Sequence, residues 1–96
     1  MNAQGDNSAA LKVLKSAYAK DPRDSRMLRE LAVAYAKSKQ PGWASVVTAE
    51  RYALNGNFKV ASTHAKRAQG LLSSGSTGWL KAEDILAQAQ KISRRK

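Results

Sequence analysis

The sequence contains no cysteine, and this absence excludes disulfide bonds, thiol catalysis and thiolate metal sites. Its single histidine, His64, cannot form a histidine metal site or a catalytic triad without further ligands or partners. Glycine-rich phosphate loops and the Gly-x-Ser-x-Gly nucleophile motif are also missing. We therefore expect a chain that is not an enzyme, with no catalytic residue, no metal site and no cofactor.

Long apolar segments and acidic residues are scarce as well. No apolar run approaches the ~20 residues that span a bilayer, and the polar residues 1–8 lack the apolar segment of a signal peptide. Seven acidic residues stand against 17 basic ones, which gives a formal net charge of +10. That charge favours acidic partners. The alternative is a solvated basic surface, because the cations are spread along the chain and cluster only at residues 91–96.

Proline and glycine, which favour turns, are few in this sequence. The chain has two prolines and six glycines, and alanine, the strongest helix former, supplies much of its apolar content. A single domain of this length buries about 60–65% of its unfolded surface, which is too little to enclose a deep active site. This composition predicts one all-α domain.

Apolar residues recur at helical spacing in five segments that are separated by turn signals. We predict a disordered tail over residues 1–7, a helical domain over 8–93 and a basic tail over 94–96. Ser8 is the expected N-cap of the first helix, and Pro41-Gly42 is expected to lie before the third. The third helix has apolar residues on both faces and should pack between two neighbours. The predicted helices cover about 8–20, 25–38, 43–54, 58–72 and 77–93.

Tyr18, Tyr35 and Tyr52 are spaced 17 residues apart, and the sequence Ala-Tyr-Ala-Lys occurs around each of the first two. A helix with its turn fills about 17 residues, and two of them make a repeat of about 34 residues. The period predicts stacked antiparallel helices that offer an interaction surface.

The small, aromatic and turn positions resemble the tetratricopeptide repeat over roughly residues 9–73. The resemblance implies a right-handed solenoid of about five antiparallel helices, closed by a C-terminal capping helix. Ala44 fits the second helix of one repeat, whereas Ala49 and Tyr52 fit the first helix of the next, so the phase slips by half a repeat. The matching residues are Ala10, Leu14, Ala17, Pro22, Leu28, Leu31, Ala32, Tyr35, Ala49, Tyr52, Gly56, Phe58, Ala61, Ala65 and Ala68.

The second half of the chain shows a narrower resemblance. Residues 49–61, 65–68 and 75–85 are similar to the C-terminal tetratricopeptide region of bacterial zinc metallopeptidases of the beta-barrel assembly-enhancing type. That resemblance implies a periplasmic protease whose zinc domain would precede this region. The chain itself has no His-Glu-x-x-His and would be the non-catalytic piece.

In tetratricopeptide arrays the first helix of each pair lines a groove that holds a partner segment. The resemblance therefore implies a peptide groove, and its cations would suit an acidic segment or a C-terminal carboxylate. The alternative is that these cations form a solvated helix face. The candidate groove residues are Arg26, Arg29, Val33 and Lys37 on the second predicted helix, and Trp43, Val46 and Glu50 on the third.

The two tryptophans have different expected roles. Trp43 would be either a partly exposed contact anchor or a residue packed against a neighbouring helix end. Trp79 should anchor the capping helix to the core.

The leading functional hypothesis is a protein–protein interaction module, the partner- or substrate-recruiting region of a larger bacterial protein. The alternative is a basic helical module that binds nucleic acid or an anionic membrane surface, although its low aromatic content disfavours nucleic acid. A third hypothesis is structural: docking onto a protease domain of the same protein, or self-association through the N-terminal face.

Overall fold

The computed structural model describes residues 3–94, with side-chain environments for residues 8–93. The described part contains five α-helices and no strand, so the predicted all-α class is confirmed. The helices are α1 (Ala3–Lys20), α2 (Ser25–Lys37), α3 (Pro41–Leu54), α4 (Phe58–Leu71) and α5 (Thr77–Arg94).

Two predicted helix starts were wrong. Helix α1 begins at Ala3 and not at Ser8, so residues 3–7 of the expected tail are helical; residues 1 and 2 lie outside the described part. Helix α3 begins at Pro41. A proline at the first helical position lacks only an N–H that would have no partner there, and its fixed φ suits a helix start. Helix α5 includes Arg94, whereas the rest of the predicted basic tail is outside the described residues.

The turns follow from the capping residues. The Asp24 side chain accepts hydrogen bonds from the backbone N–H groups of Arg26 and Met27, which satisfies two free donors at the start of α2. Gly56, with a φ of 82°, supplies the left-handed conformation that ends α3. Ser76 accepts a hydrogen bond from the N–H of Trp79 and caps α5.

Helix α3 is the centre of the array, as its two apolar faces predicted. Val47 belongs to a cluster with residues of α1 and α2, whereas Val46 belongs to a cluster with residues of α4 and α5. Both valines have no exposed surface. Adjacent residues on a helix diverge by about 100°, so two neighbouring positions serve two different layers.

Alanine forms most of the second cluster. Ala49, Ala61, Ala65, Ala68 and Ala82 are all fully buried there. Their small side chains let α3, α4 and α5 approach closely, because no bulky group separates the helix backbones. This close approach explains why an alanine-rich sequence forms a continuous core.

The helices alternate between two sides of the array. Each helix packs on its neighbour in sequence, and α3 also packs directly on α5. No such contact joins α2 to α4 within the described residues. Helices α3 and α5 therefore share one side, α2 and α4 lie on the other, and the molecule extends over 53 × 26 × 19 Å, as expected of a solenoid.

Trp43 and Gly78 form the junction between α3 and α5. The Trp43 ring stacks on Tyr35 with a centroid distance of 5.7 Å, which favours the packed alternative over a free anchor. A Cβ atom added to Gly78 would lie 2.8 Å from Leu72 Cδ1 and 3.2 Å from Trp43 Cε2. A methyl group at this position would displace the Leu72 side chain and crowd the Trp43 indole, so glycine lets α5 lie close to both.

We predict that Gly78→Ala lowers the free energy of unfolding by about 1–3 kcal/mol, since the added methyl group overpacks this junction. Gly70→Ala is the matched control, because nothing lies within 4 Å of a Cβ at Gly70. Because alanine favours the helix over glycine, Gly70→Ala in α4 should raise the free energy of unfolding by about 0.5–1 kcal/mol. Urea unfolding monitored by circular dichroism measures both changes, and equal effects of the two variants would contradict the close contact.

Candidate functional site

A cleft of about 450 Å³ opens on the side of the array that α3 and α5 share. Apolar side chains and charged side chains of both signs line it together. The lining residues are Pro22 and Arg23 from the α1–α2 turn, Glu50, Ala53 and Leu54 from α3, Phe58 from α4, and Lys81, Asp84, Ile85 and Gln88 from α5.

Helix geometry explains how two helices present these groups together. Positions 81, 84, 85 and 88 follow i, i+3, i+4, i+7 spacing and therefore form one face of α5. Positions 50, 53 and 54 do the same on α3. Since α3 and α5 are in contact, these two faces meet at the cleft.

One wall of the cleft is built around Glu50. The hydroxyl of Tyr18, on α1, donates a hydrogen bond of 2.7 Å to Glu50 Oε1. The ammonium of Lys81, on α5, lies 5.4 Å from the centre of the Tyr18 ring, within the range of a cation–π contact. Side chains of α1, α3 and α5 are thus in contact at this wall.

Burial shifts the pKa values of Glu50 and of two neighbouring tyrosines. Desolvation raises the pKa of Glu50 above its ordinary 4.5, while the Tyr18 hydrogen bond and the charge of Lys81 oppose that increase. Desolvation also raises the pKa of Tyr18, and its hydrogen bond to Glu50 raises it further. The pKa of Tyr35 is raised by burial and then by the charge of Glu50. The carboxyl group of Glu50 is therefore the titratable centre of the cleft wall.

The residues predicted to form a peptide groove do not come together. Arg26, Arg29 and Val33, with Glu30, line a separate depression on α2 of about 390 Å³. Lys37 is exposed at the end of α2. Glu50 alone among the candidates lines the cleft between α3 and α5.

Two predicted groove residues on α3 have packing roles. Val46 has no exposed surface, so its assignment to a groove was wrong: it faces the alanine-rich cluster instead of solvent. Trp43 is half-buried and packs against both core clusters. Trp79 is half-buried too, and its carbonyl accepts a hydrogen bond from Gln69.

Several cleft residues were not predicted from the sequence. Arg23, Phe58, Lys81, Asp84 and Ile85 line the cleft, yet none was among the groove candidates. The spacing of Lys81, Asp84 and Ile85 along one helix face was the available signal. It became informative only once α5 was known to pack on α3.

A second cluster of polar side chains lies where α3 and α4 meet. The His64 imidazole stacks on the Tyr52 ring, with centroids 5.6 Å apart and planes 1° from parallel. The Arg51 guanidinium carbon lies 4.6 Å from the centre of the same ring. Desolvation, followed by the charges of Arg67 and Arg51, lowers the pKa of His64 below 6.5.

The described residues form neither a metal site nor a membrane-spanning helix. Among residues 8–93, whose side chains the structure describes, no three His, Asp or Glu side chains lie close enough together to hold a metal ion. None of the five helices is long and apolar enough to cross a membrane.

The raised pKa of Glu50 predicts a pH dependence of stability. Between pH 4.5 and its folded pKa, the folded state binds more protons at Glu50 than the unfolded state. The free energy of unfolding should therefore fall as pH rises through this window. Glu50→Gln keeps a carbonyl that accepts from Tyr18 but cannot ionise, so we expect that contribution to the decline to disappear.

Chemical denaturation at a series of pH values measures this effect. Glu30→Gln, at an exposed position of α2, is the matched control and should leave the decline in place. A decline that persists unchanged in Glu50→Gln would contradict the assignment.

Comparison with known proteins identifies the repeat. The family model described as tetratricopeptide repeat matches residues 1–48, which is half of the chain and comprises α1, α2 and the first half of α3. No curated protein and no solved structure gave a significant match. The matched segment and the five-helix array agree, and the chain belongs to the tetratricopeptide repeat family, whose domains serve as protein–protein interaction modules.

Proposed function

We propose that the chain is a non-catalytic recruiting module that binds a segment of a partner protein in the cleft between α3 and α5. The observation that carries this proposal is the cleft itself, which apolar side chains and charged side chains line together. Ala53, Leu54 and Phe58, which are partly exposed, offer apolar contact, which supplies most of the affinity at such exposed sites. Arg23 and Lys81 would pair with acidic groups of the segment.

The charge of the whole chain supports an acidic segment. With a net charge of +10, the chain attracts acidic partners over a distance and speeds their encounter. Individual exposed ion pairs add only about 0.2–1 kcal/mol each. Charge therefore contributes selectivity for acidic segments, whereas apolar contacts contribute most of the affinity.

The depression on α2 is the alternative site for a partner segment. Arg26, Arg29 and Val33 line their own depression, and Val33 is 50% exposed. That face could hold a carboxylate but offers one apolar side chain only. The cleft offers apolar side chains from two packed helices, together with Phe58 of α4, and is therefore the favoured site.

We expect Arg23→Glu to weaken binding of a short synthetic peptide that alternates glutamate and leucine by about two- to tenfold. Charge reversal at the edge of the cleft replaces attraction by repulsion. Arg26→Glu is the matched control, because it makes the same substitution at an exposed position outside the cleft. Fluorescence anisotropy of the labelled peptide measures both affinities, and a peptide alternating lysine and leucine should not bind.

The outcome separates the two surfaces. A larger loss for Arg26→Glu than for Arg23→Glu would assign binding to the α2 depression and overturn the cleft. Equal small losses would indicate attraction by net charge alone.

We further propose that the wider context is a periplasmic bacterial zinc protease, of which this chain would be the recruiting region. The support is the sequence similarity over residues 49–61 and 75–85, and the Gly56 turn and Ser76 cap within those segments are consistent with it. In that setting the module would bind substrate or dock onto the protease domain. A native reading frame that lacks a His-Glu-x-x-His domain would contradict this context.

The alternative function is binding of nucleic acid or an anionic membrane surface. It is supported by helix α4, which carries cations and no acidic residue. Such binding would be lost steeply with salt, since phosphate contacts release counterions. Binding of the glutamate–leucine peptide that survives moderate salt, without binding to duplex DNA or anionic vesicles, would exclude this alternative.

A further inference from the structure

We propose that Arg51, His64 and Arg67 form a binding site for a phosphate-type oxyanion where α3 and α4 meet. This site goes beyond the recruiting function and does not depend on it. It uses other side chains of α3 and α4, and its failure would leave the cleft proposal intact.

The His64 imidazole and the Arg51 guanidinium both lie against the ring of Tyr52. Tyr52 stacks against His64 with planes 1° apart, which fixes the imidazole plane. The guanidinium of Arg51 lies 4.6 Å from the centre of that same tyrosine ring. Arg67 follows His64 by three residues on α4, and residues at this spacing are neighbours on a helix surface.

The surroundings of His64 are cationic. The charges that act on the imidazole are those of Arg67 and Arg51, and both disfavour its protonated form. Helix α4, which carries His64 and Arg67, has no acidic residue. A bound oxyanion would relieve the repulsion among these groups.

The acidic residues on α3 and α5, which pack against α4, are Glu50, Glu83 and Asp84, and Asp84 lines the cleft. Glu50 on α3 accepts a hydrogen bond from Tyr18 and lines the cleft. Glu83 on α5 accepts a hydrogen bond from Gln69. None of these carboxylates is among the groups that shift the ionisation of His64. The cationic cluster is thus left available for an anion from outside the chain.

The chemistry of the three side chains selects an oxyanion. Guanidinium groups offer forked N–H donors that match phosphate oxygens. An imidazolium adds a further donor and a positive charge when it is protonated. A dianionic phosphate would favour that protonation, so binding and proton uptake at His64 should be linked.

His64 is the only histidine, so its imidazole proton resonances can be followed by NMR in the full chain without assignment. We expect inorganic phosphate to raise the pKa of His64 more than sodium chloride at equal ionic strength. Arg67→Gln should weaken the apparent phosphate affinity by about two- to fivefold. Lys66→Gln is the matched control: it removes one positive charge from the adjacent position of α4, where Lys66 lines a different depression with residues of α5.

A second arm distinguishes the source of the phosphate. A short peptide containing phosphoserine is compared with inorganic phosphate and with the same peptide unphosphorylated. A stronger effect of the phosphopeptide assigns a phosphorylated segment as the ligand, and equal effects assign free phosphate; both support the site. The proposal is overturned if neither anion raises the pKa of His64 beyond the effect of chloride, or if Lys66→Gln weakens binding as much as Arg67→Gln.

Discussion

Helix α3 is the element on which the array depends, because both layers of the core are built against it. Val47 closes the layer formed with α1 and α2, and Val46 closes the layer formed with α4 and α5. Trp43 packs against both layers and stacks on Tyr35. If α3 were displaced, both layers would lose their packing surface at once. In a linear array, where each unit contacts only its neighbours, such a shared helix couples the two halves.

Small side chains decide where the functional surfaces lie. The buried alanines of α3, α4 and α5 let these helices approach closely, and Gly78 lets α5 lie against Trp43. This contact brings Lys81, Asp84 and Ile85 beside Glu50 and Leu54 and so creates the cleft. The same packing places His64 against Tyr52 on the α3–α4 side. A peptide site and an anion site can therefore occupy different faces of the same three helices.

The sequence predicted the fold in most of its parts. Five segments with apolar residues at helical spacing became five helices, and the two apolar faces of the third became its central position. Local chemistry was also readable: Asp24 caps α2, and Gly56 adopts the left-handed conformation that ends α3. The errors were local as well. Pro41 starts a helix where a break was expected, and the first helix extends back to Ala3.

The candidate groove was harder to predict, because it depends on which helices share a side of the array. The sequence allowed the third helix to be read as either half of a repeat, and the groove residues were assigned with the second helix on the binding side. Packing of α3 on α5 places Glu50 in a cleft with α5 and leaves Arg26 and Arg29 on a separate surface. The sequence by itself determined the helical class, the repeat spacing, the basic charge and most turn positions, since these follow from local propensity and periodicity. Only the tertiary structure decided which faces meet, because two helix faces with similar patterns differ only in the neighbours they pack against.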